Sequence, residues 1–365
     1  MGVWIASWAE RPLSCLGERA ARAAWVQAGG LNFNDTVMTF RENISLAAFS
    51  NYRIGGNARF FLEPKTEKEV AAAVTEAKAR KLPIFILGGG TNLLLSDTGF
   101  NGLVIRPALT AIDIKKRGGM VVAGAGAVMA DLVNASIKNS LSGLEWAGGL
   151  PGTLGGAIRG NAGCFGGETK DIVRLVRSFD MKKMKIVERS AKECKFNYRD
   201  SIFKHSGSRG AANEIILSAE LAFEKGESKS IAAAVREKIE HRKKNHPLEY
   251  PNIGSIFKNV PLGDVYSATS PKYNAALAKK EIAYRGSQFS VKTDPFPVIS
   301  TAKLIGECGL RGVSFGGAMI SAKHPNFIVN ALNAGSGDVA TLIALAKARV
   351  KAKFDVDLEE EVQIV

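Results

Sequence analysis

The chain has 365 residues, 46% hydrophobic and 23% charged, an ordinary globular composition that leaves room for two or three packed domains and argues against disorder. Its longest apolar runs, such as Val121 to Val133, are broken by Gly, Ala and a charge well short of the roughly 20 residues of a membrane span, so no membrane insertion is expected. The net charge of +14 raises nucleic acid as a partner, but the densest basic patch, His241-Arg242-Lys243-Lys244, ends a helical run where cations usually face water. The field suits anionic small molecules instead, and no nucleic-acid partner is expected.

Residues 1–37 hold Trp4, Trp8 and Trp25 but no continuous apolar core of a secretory signal. They read as an N-terminal extension of unknown role, with Met38 as an alternative start. From Asn51 onward β-rich runs alternate with amphipathic helices. The pattern predicts a strand over Ala58–Leu62, a helix over Glu67–Arg80 and a strand over Pro83–Leu87. Another strand follows over Met120–Ala123, then a helix running to Asn139. A second unit opens with a helix from Ile231 to Lys244, includes a helix over Val339–Lys353, and closes with Val356–Val365, where Glu359-Glu360-Glu361 precedes an alternating strand.

The cysteines, Cys15, Cys164, Cys194 and Cys308, show no C-x-x-C spacing, so neither a zinc site nor a disulfide framework is suggested and a reducing cytoplasm fits. The histidines, His205, His241, His246 and His324, are scattered as well, and no metal is expected.

Glycine-dense loops concentrate between residues 55 and 167. Gly88-Gly89-Gly90-Thr91-Asn92 stands between two apolar strands, as a nest of N–H donors for a diphosphate or as a tight hairpin. A dinucleotide fingerprint beginning at Gly124-Ala125-Gly126 fails at its third glycine, which would be Met129, and no phosphate-binding G-x-x-x-x-G-K-[ST] loop occurs. The richest stretch is Gly148 to Ala157, continuing through Asn161-Ala162-Gly163 to Gly166-Gly167. Such density implies backbone wrapped around a ligand, with Thr153 and Asn161 as side-chain contacts.

In order, Asn51-Tyr52-Arg53-Ile54-Gly55-Gly56, Gly88-Gly89-Gly90-Thr91-Asn92, Gly149-Leu150-Pro151-Gly152-Thr153-Leu154-Gly155-Gly156 and Asn161-Ala162-Gly163 resemble the flavin-binding unit of the UDP-N-acetylenolpyruvoylglucosamine reductases. Those enzymes share the wider vanillyl-alcohol-oxidase-like FAD fold. Phe196-Asn197-Tyr198-Arg199-Asp200-Ser201, Gly254-Ser255-Ile256-Phe257-Lys258-Asn259 and Leu358-Glu359-Glu360-Glu361-Val362 extend the resemblance, as do Gly316-Gly317-Ala318 and the run from His324 to Asn330. It implies an α+β protein: a PCMH-type FAD-binding domain over 38–225, in two subdomains, and a C-terminal α+β substrate-binding domain over 226–355. A terminal strand over 356–365 would carry the catalytic Glu. The stretch near 260–300 is longer than the family's and reads as an insertion, a surface loop or an altered lid, of which the segment from about Gly263 to Tyr284, combining Gly, Ser, Pro and Lys, is expected to be peripheral.

The resemblance implies Arg199, Ser255 and Glu361 as catalytic residues. It implies non-covalent FAD held by Arg53, Gly88, Gly89, Gly90, Thr91, Asn92, Gly149, Thr153, Gly155, Gly156, Asn161 and Gly163. Lys258, Asn259, His324 and Asn326 are candidates for the UDP-linked substrate, and NADPH is the implied co-substrate. The implied reaction is reduction of UDP-N-acetylglucosamine enolpyruvate to UDP-N-acetylmuramate in peptidoglycan precursor synthesis. Another FAD-dependent oxidoreductase or oxidase of the same fold is the alternative. Cys164-Phe165 stands where the family commonly has Ala-Tyr, and Arg159 where it has a non-basic residue. The spacing of Arg199 and Ser255 resembles the subtype without an extra Tyr-bearing substrate loop.

Overall fold

The computed structural model describes residues 39–115, 119–204, 213–293 and 296–365. The N-terminal extension and His205 lie outside them.

The first layer is a four-stranded sheet in the order Arg41–Ser45, Asn57–Leu62, Phe100–Ile105, Ile84–Ile86. The first pair is antiparallel and the other two are parallel. Parallel neighbours need a crossover, and the Glu67–Ala79 helix supplies it. That helix begins where expected because the Thr66 hydroxyl accepts from the Glu69 N–H at 3.1 Å, a side-chain N-cap, with Glu67 and Glu69 in the first turn. Its Val70, Ala71, Ala73, Val74 and Ala77 are buried.

The second layer is antiparallel throughout, in the order Lys185–Ser190, Val173–Asp180, Glu214–Ala222, Met120–Gly124, Ile112–Ile114. The Met129–Lys138 and Ser228–Asn245 helices pack against each other beside it, over Leu132, Leu144, Trp146, Val176 and Leu221. This sheet is no dinucleotide fold, as the failed glycine fingerprint foretold. The glycine-rich stretch expected to be a loop instead contains a short helix, Leu154–Gly160. Its first two N–H groups are already taken by the carbonyls of Ala127 and Ala125.

The C-terminal unit holds a four-stranded sheet ordered Val260–Pro261, Val298–Ile299, Ser287–Lys292, Glu281–Tyr284, a three-stranded sheet over Ser314–Asn330, and the Ser336–Phe354 helix. That helix buries Val339, Leu342, Ile343, Ala346 and Val350, the spacing of one face. The expectation that the segment from about Gly263 to Tyr284 is peripheral is corrected here: Ala276 and Ile282 are buried in the core and Tyr284 packs against it. Leu262, Ala276, Ile282, Phe289, Val291 and Ile299 all belong to the same core as Leu342 and Ile343. Phe289 meets Phe354 edge-on at 5.5 Å, and the Tyr284 hydroxyl donates to the Phe354 carbonyl at 3.1 Å.

Two devices join this unit to the segments that flank the strands of the first sheet. Tyr52 is completely buried; its hydroxyl donates to the Ile328 carbonyl at 2.7 Å, and Asn330 Nδ2 donates back to the Tyr52 carbonyl at 2.9 Å. The second is the terminal segment, where only Gln363–Ile364 form a strand, parallel to Leu93–Leu94. Just upstream, Glu360 bridges to Phe257 and the Glu361 N–H donates to the Ile256 carbonyl at 2.8 Å.

Candidate active site

The glycine loops, the Arg199 segment and the C-terminal unit enclose a cleft of about 830 Å³. On one wall, Gly89 approaches Gly152 so closely that a Cβ there would lie 2.7 Å from the Gly152 Cα. Gly90 has φ +63, and a Cβ on it would lie 1.9 Å from the Phe49 carbonyl oxygen. Only glycine meets both demands. The N–H groups of Gly88 to Asn92 donate to no other backbone group among the described residues, so the strand-to-strand turn leaves a row of donors at the cleft. Across from it, Gly156 and Gly160 leave open space: a Cβ at Gly156 meets nothing nearer than the Thr153 hydroxyl at 3.6 Å, and one at Gly160 meets nothing within 4 Å. An extended phosphate-bearing group such as FAD fits this wall, which offers backbone donors, a Thr153 hydroxyl not used as a helix cap, and space where side chains would stand.

Arg199 comes from a tight turn in which Asn197 and Asp200 exchange backbone hydrogen bonds of 3.0 and 3.1 Å, and it adopts φ +54. The Ser201 hydroxyl donates to the Arg159 carbonyl at 2.7 Å, fixing this turn beside the Leu154–Gly160 helix. The ion-pair partner of Arg199 is not the adjacent Asp200. Instead its Nε contacts Glu361 Oε1 at 2.9 Å and its Nη2 donates to the Gly163 carbonyl at 2.5 Å. Burial alone would weaken the guanidinium's hold on its proton, but Glu361 and neighbouring groups outweigh it and keep Arg199 charged.

Glu361 shows why an acidic triplet need not be one solvated face. Glu359 is exposed and pairs with Lys258, Glu360 pairs with Lys347, and Glu361 turns into the cleft. Burial pushes its carboxyl above the ordinary range, and the nearby cations Arg199, Lys204 and Lys258 offset only part of that. Ser255 follows Gly254, whose φ is +85, and lines the same cleft with its hydroxyl unbonded among the described residues. Its loop is clamped from behind: Asn326 is buried, accepts from the Phe257 N–H at 3.0 Å and donates to the Phe257 carbonyl at 2.8 Å.

Arg53, Gly88, Gly89, Gly90, Thr91, Asn92, Gly149, Thr153, Gly156 and Gly163 line the cleft together with Arg199, Ser255 and Glu361. Six expected site residues stand behind its walls. Gly155 faces the sheet, where a Cβ would meet that of Ala125 at 3.0 Å, so its missing side chain serves packing. Asn161 is completely buried; it donates to the Asn197 carbonyl at 2.9 Å and to Glu168 at 3.2 Å, and accepts from the Lys170 N–H at 3.0 Å, which uses its amide up. Lys258 pairs with Glu359 at 2.6 Å, Asn259 accepts from the Thr301 N–H at 3.3 Å, and Asn326 is the clamp just described. His324 packs on Phe327 and His246, with ring centroids 4.7 and 5.7 Å away.

Cations that were not expected at the site enter it. Arg242, read as part of a solvated patch, donates through Nε to the Gly148 carbonyl and through Nη2 to Cys164 Sγ, both at 2.9 Å. Lys204 Nζ donates to the Arg199 carbonyl at 2.9 Å on the cleft wall. Its position five residues after Arg199 is the one sequence signal that could have flagged it. Among the described residues no group of three or more His, Cys, Asp or Glu side chains could hold a metal ion, and no helix is long and apolar enough to cross a membrane.

Two family models match the chain: residues 58–186 match that of the FAD binding domain, and residues 246–365 that of the C-terminal domain of UDP-N-acetylenolpyruvoylglucosamine reductase. The reductase of that name from Solibacter usitatus is 33% identical over 320 residues, covering 88% of this chain and 95% of the relative. The one from Clostridioides difficile is 36% identical over 315 residues, covering 86% and 90%. The crystal structure of UDP-N-acetylenolpyruvylglucosamine reductase from Thermus caldophilus superposes with a TM-score of 0.66 at 28% identity, covering 89% of this chain and 99% of that one.

Proposed function

The chain belongs to the UDP-N-acetylenolpyruvoylglucosamine reductase family, and on that premise we propose that Arg199, Glu361 and Ser255 carry the chemistry on the substrate side of its cleft. It is an FAD-dependent oxidoreductase that uses NADPH to reduce the enolpyruvyl ether of UDP-N-acetylglucosamine enolpyruvate to UDP-N-acetylmuramate, in peptidoglycan precursor synthesis. Bound FAD would supply the hydride-relay chemistry between NADPH and the enolpyruvyl group. The donors of Gly88 to Asn92, with Thr153 and Gly156 opposite, would hold its diphosphate.

Addition of hydride to the terminal carbon leaves negative charge on the adjacent carbon, spread into the carboxylate. Arg199, planar, permanently charged and fixed by Glu361 and the Gly163 carbonyl, presents its fork to that carboxylate as the charge grows. Glu361, with its raised proton affinity, donates a hydrogen bond to the same group. Ser255 then delivers its proton to the adjacent carbon; an alcohol is a weak acid toward water but an adequate one toward an enolate at hydrogen-bond distance. Lys204 and Arg242 add positive potential for the anionic substrates.

The observation that carries this reading is the 2.9 Å Arg199–Glu361 pair on the cleft that Ser255 also lines. A cytoplasmic location is part of the same proposal, supported by the free thiols Cys164, Cys194 and Cys308. Arg199→Lys keeps the charge and loses the fork. It should leave anaerobic bleaching of the flavin by NADPH near the parent rate and slow its reoxidation by the enolpyruvyl substrate. Reoxidation at the parent rate would remove Arg199 from the role, and oxygen consumption without NADPH would favour an oxidase of the same fold.

A further inference from the structure

Arg199 lies between two carboxylates that are held very differently. Glu361 lines the cleft, whereas Glu168 is 7% exposed and set behind the wall. Glu168 pairs in register with Gly163 in the short Gly163–Cys164/Gly167–Glu168 hairpin, so one hairpin presents both the Gly163 carbonyl and the Glu168 carboxylate to the same guanidinium. Its Oε2 accepts from Asn161 Nδ2 at 3.2 Å and pairs with Lys170 Nζ at 2.5 Å, while its N–H donates to Asp171 Oδ2 at 2.7 Å. It cannot swing away. Its Oε1 is buried with no hydrogen-bond partner and stands 3.9 Å from Arg199 Nη1, within ion-pair range but too far for a hydrogen bond.

A buried oxygen without a partner is costly, and here it faces Arg199, whose other carboxylate partner, Glu361, acts in its protonated form in the mechanism above. When Glu361 holds a proton, Arg199 loses its ionised 2.9 Å partner, and a buried guanidinium left alone is strongly destabilising. We propose that Glu168 is the standing counter-ion of Arg199, a positioning residue that never touches substrate and that leaves Glu361 free to carry a proton during turnover. The charged and titratable groups around Glu361 are Arg199, Lys204, Lys258, Tyr198 and Cys164; those around Glu168 are Lys170, Asp171, Arg199 and Tyr198.

The proposal rests on the roles given above to Arg199 and Glu361, and the experiment separates the two. In the full FAD-loaded chain, the Glu361 carboxyl band is followed by isotope-edited infrared titration and identified by its absence from E361Q, alongside the pH profile of flavin reoxidation by substrate. Glu168→Gln keeps the shape and the acceptor for Asn161 but removes the charge. The Glu361 midpoint should then fall by about one pH unit, and the high-pH limb of reoxidation should move down with it, while NADPH bleaching is unchanged. Lys170→Gln, at an exposed side chain, strengthens the uncompensated charge of Glu168 without opening the core, and the midpoint should move up. Glu168 as a purely structural residue would lower thermal stability and flavin content while leaving the midpoint in place, and an unmoved midpoint in both variants overturns the proposal. If the high-pH limb survives in E361Q, it is the assignment of Glu361 that fails.

Discussion

Ser255→Ala separates the two hydride transfers, because reduction of the flavin by NADPH needs no substrate protonation and reduction of the enolpyruvyl group does. The structure sets the size of the effect. The hydroxyl has no partner among the described residues, and the loop is fixed by Gly254 and by the Asn326 clamp on Phe257, so removing one oxygen costs no contact that shapes the site. Loss of a general acid costs roughly 10²- to 10⁴-fold, or about 3 to 5 kcal/mol of transition-state stabilisation. Ser255 is half-buried on an open cleft, where water can enter the space and donate in its place, so a loss of about 10²-fold is expected. In anaerobic stopped-flow the variant should bleach with NADPH like the parent and then reoxidise slowly when substrate is added, with little change in substrate affinity. Reoxidation at the parent rate would remove Ser255 from proton donation. Slow bleaching with normal reoxidation would move it to the nicotinamide side of the site.

Three further outcomes are expected. Gly156→Ala puts a methyl group into open cleft on a helix, so it should raise the thermal midpoint slightly yet lower FAD affinity on the order of tenfold; unchanged flavin content would clear that wall of cofactor contact. Tyr52→Phe leaves the buried Ile328 carbonyl without its donor and should cost roughly 1 to 3 kcal/mol in denaturant unfolding; a loss below about 0.5 kcal/mol would show that the carbonyl finds another partner. Burial holds His246 and His324 down to about 4, whereas the unfolded chain titrates near 6.5. The stability these neutral rings allow is therefore full above pH 6.5 and lost as the pH falls through about 4. His324→Gln should flatten acid unfolding across that window, and a curve that coincides with the parent's would refute the assignment.

Much of the glycine wall of the cleft was legible because backbone proximity can be met only by glycine: Gly89 against Gly152 and Gly90 against Phe49 leave no room for any other residue. The same signal misled at Gly155, where the close neighbour is Ala125 of the sheet, since glycine density reports crowding and not what does the crowding. Asn161 and Asn326 lie within motifs of the site for a comparable reason. Each commits both ends of its amide to neighbouring backbone or side chains, one beside Arg199 and one behind Ser255, and sequence does not distinguish an amide that grips a ligand from one that grips a neighbouring loop. Arg242 was hidden inside a run of cations because only one turn of the helix faces Cys164. The segment from about Gly263 to Tyr284 looked peripheral by its Gly, Ser, Pro and Lys content, although it leads into a strand of the core. Strict alternation over Ser287–Lys292, with Ser287, Phe289 and Val291 inward, was the clue to a strand on a core.

The segment from Glu359 to Val365 has a mechanical consequence. On one flank Lys258 N–H donates to the Glu359 carbonyl and Glu361 N–H to the Ile256 carbonyl; on the other Gln363 N–H donates to Asn92, Val365 N–H to Leu94 and Ser96 N–H to Val365. It works as a splice, stitched to both halves of the cleft. Because these bonds share a load, prying the halves apart would mean breaking several at once, unlike a zipper that opens one rung at a time. The jaws of the cleft are therefore held by a shared seam, and the exposed side chains at its mouth, Leu248 and Tyr250, stand on a segment whose Pro251 carbonyl is itself tied to the Asn330 N–H.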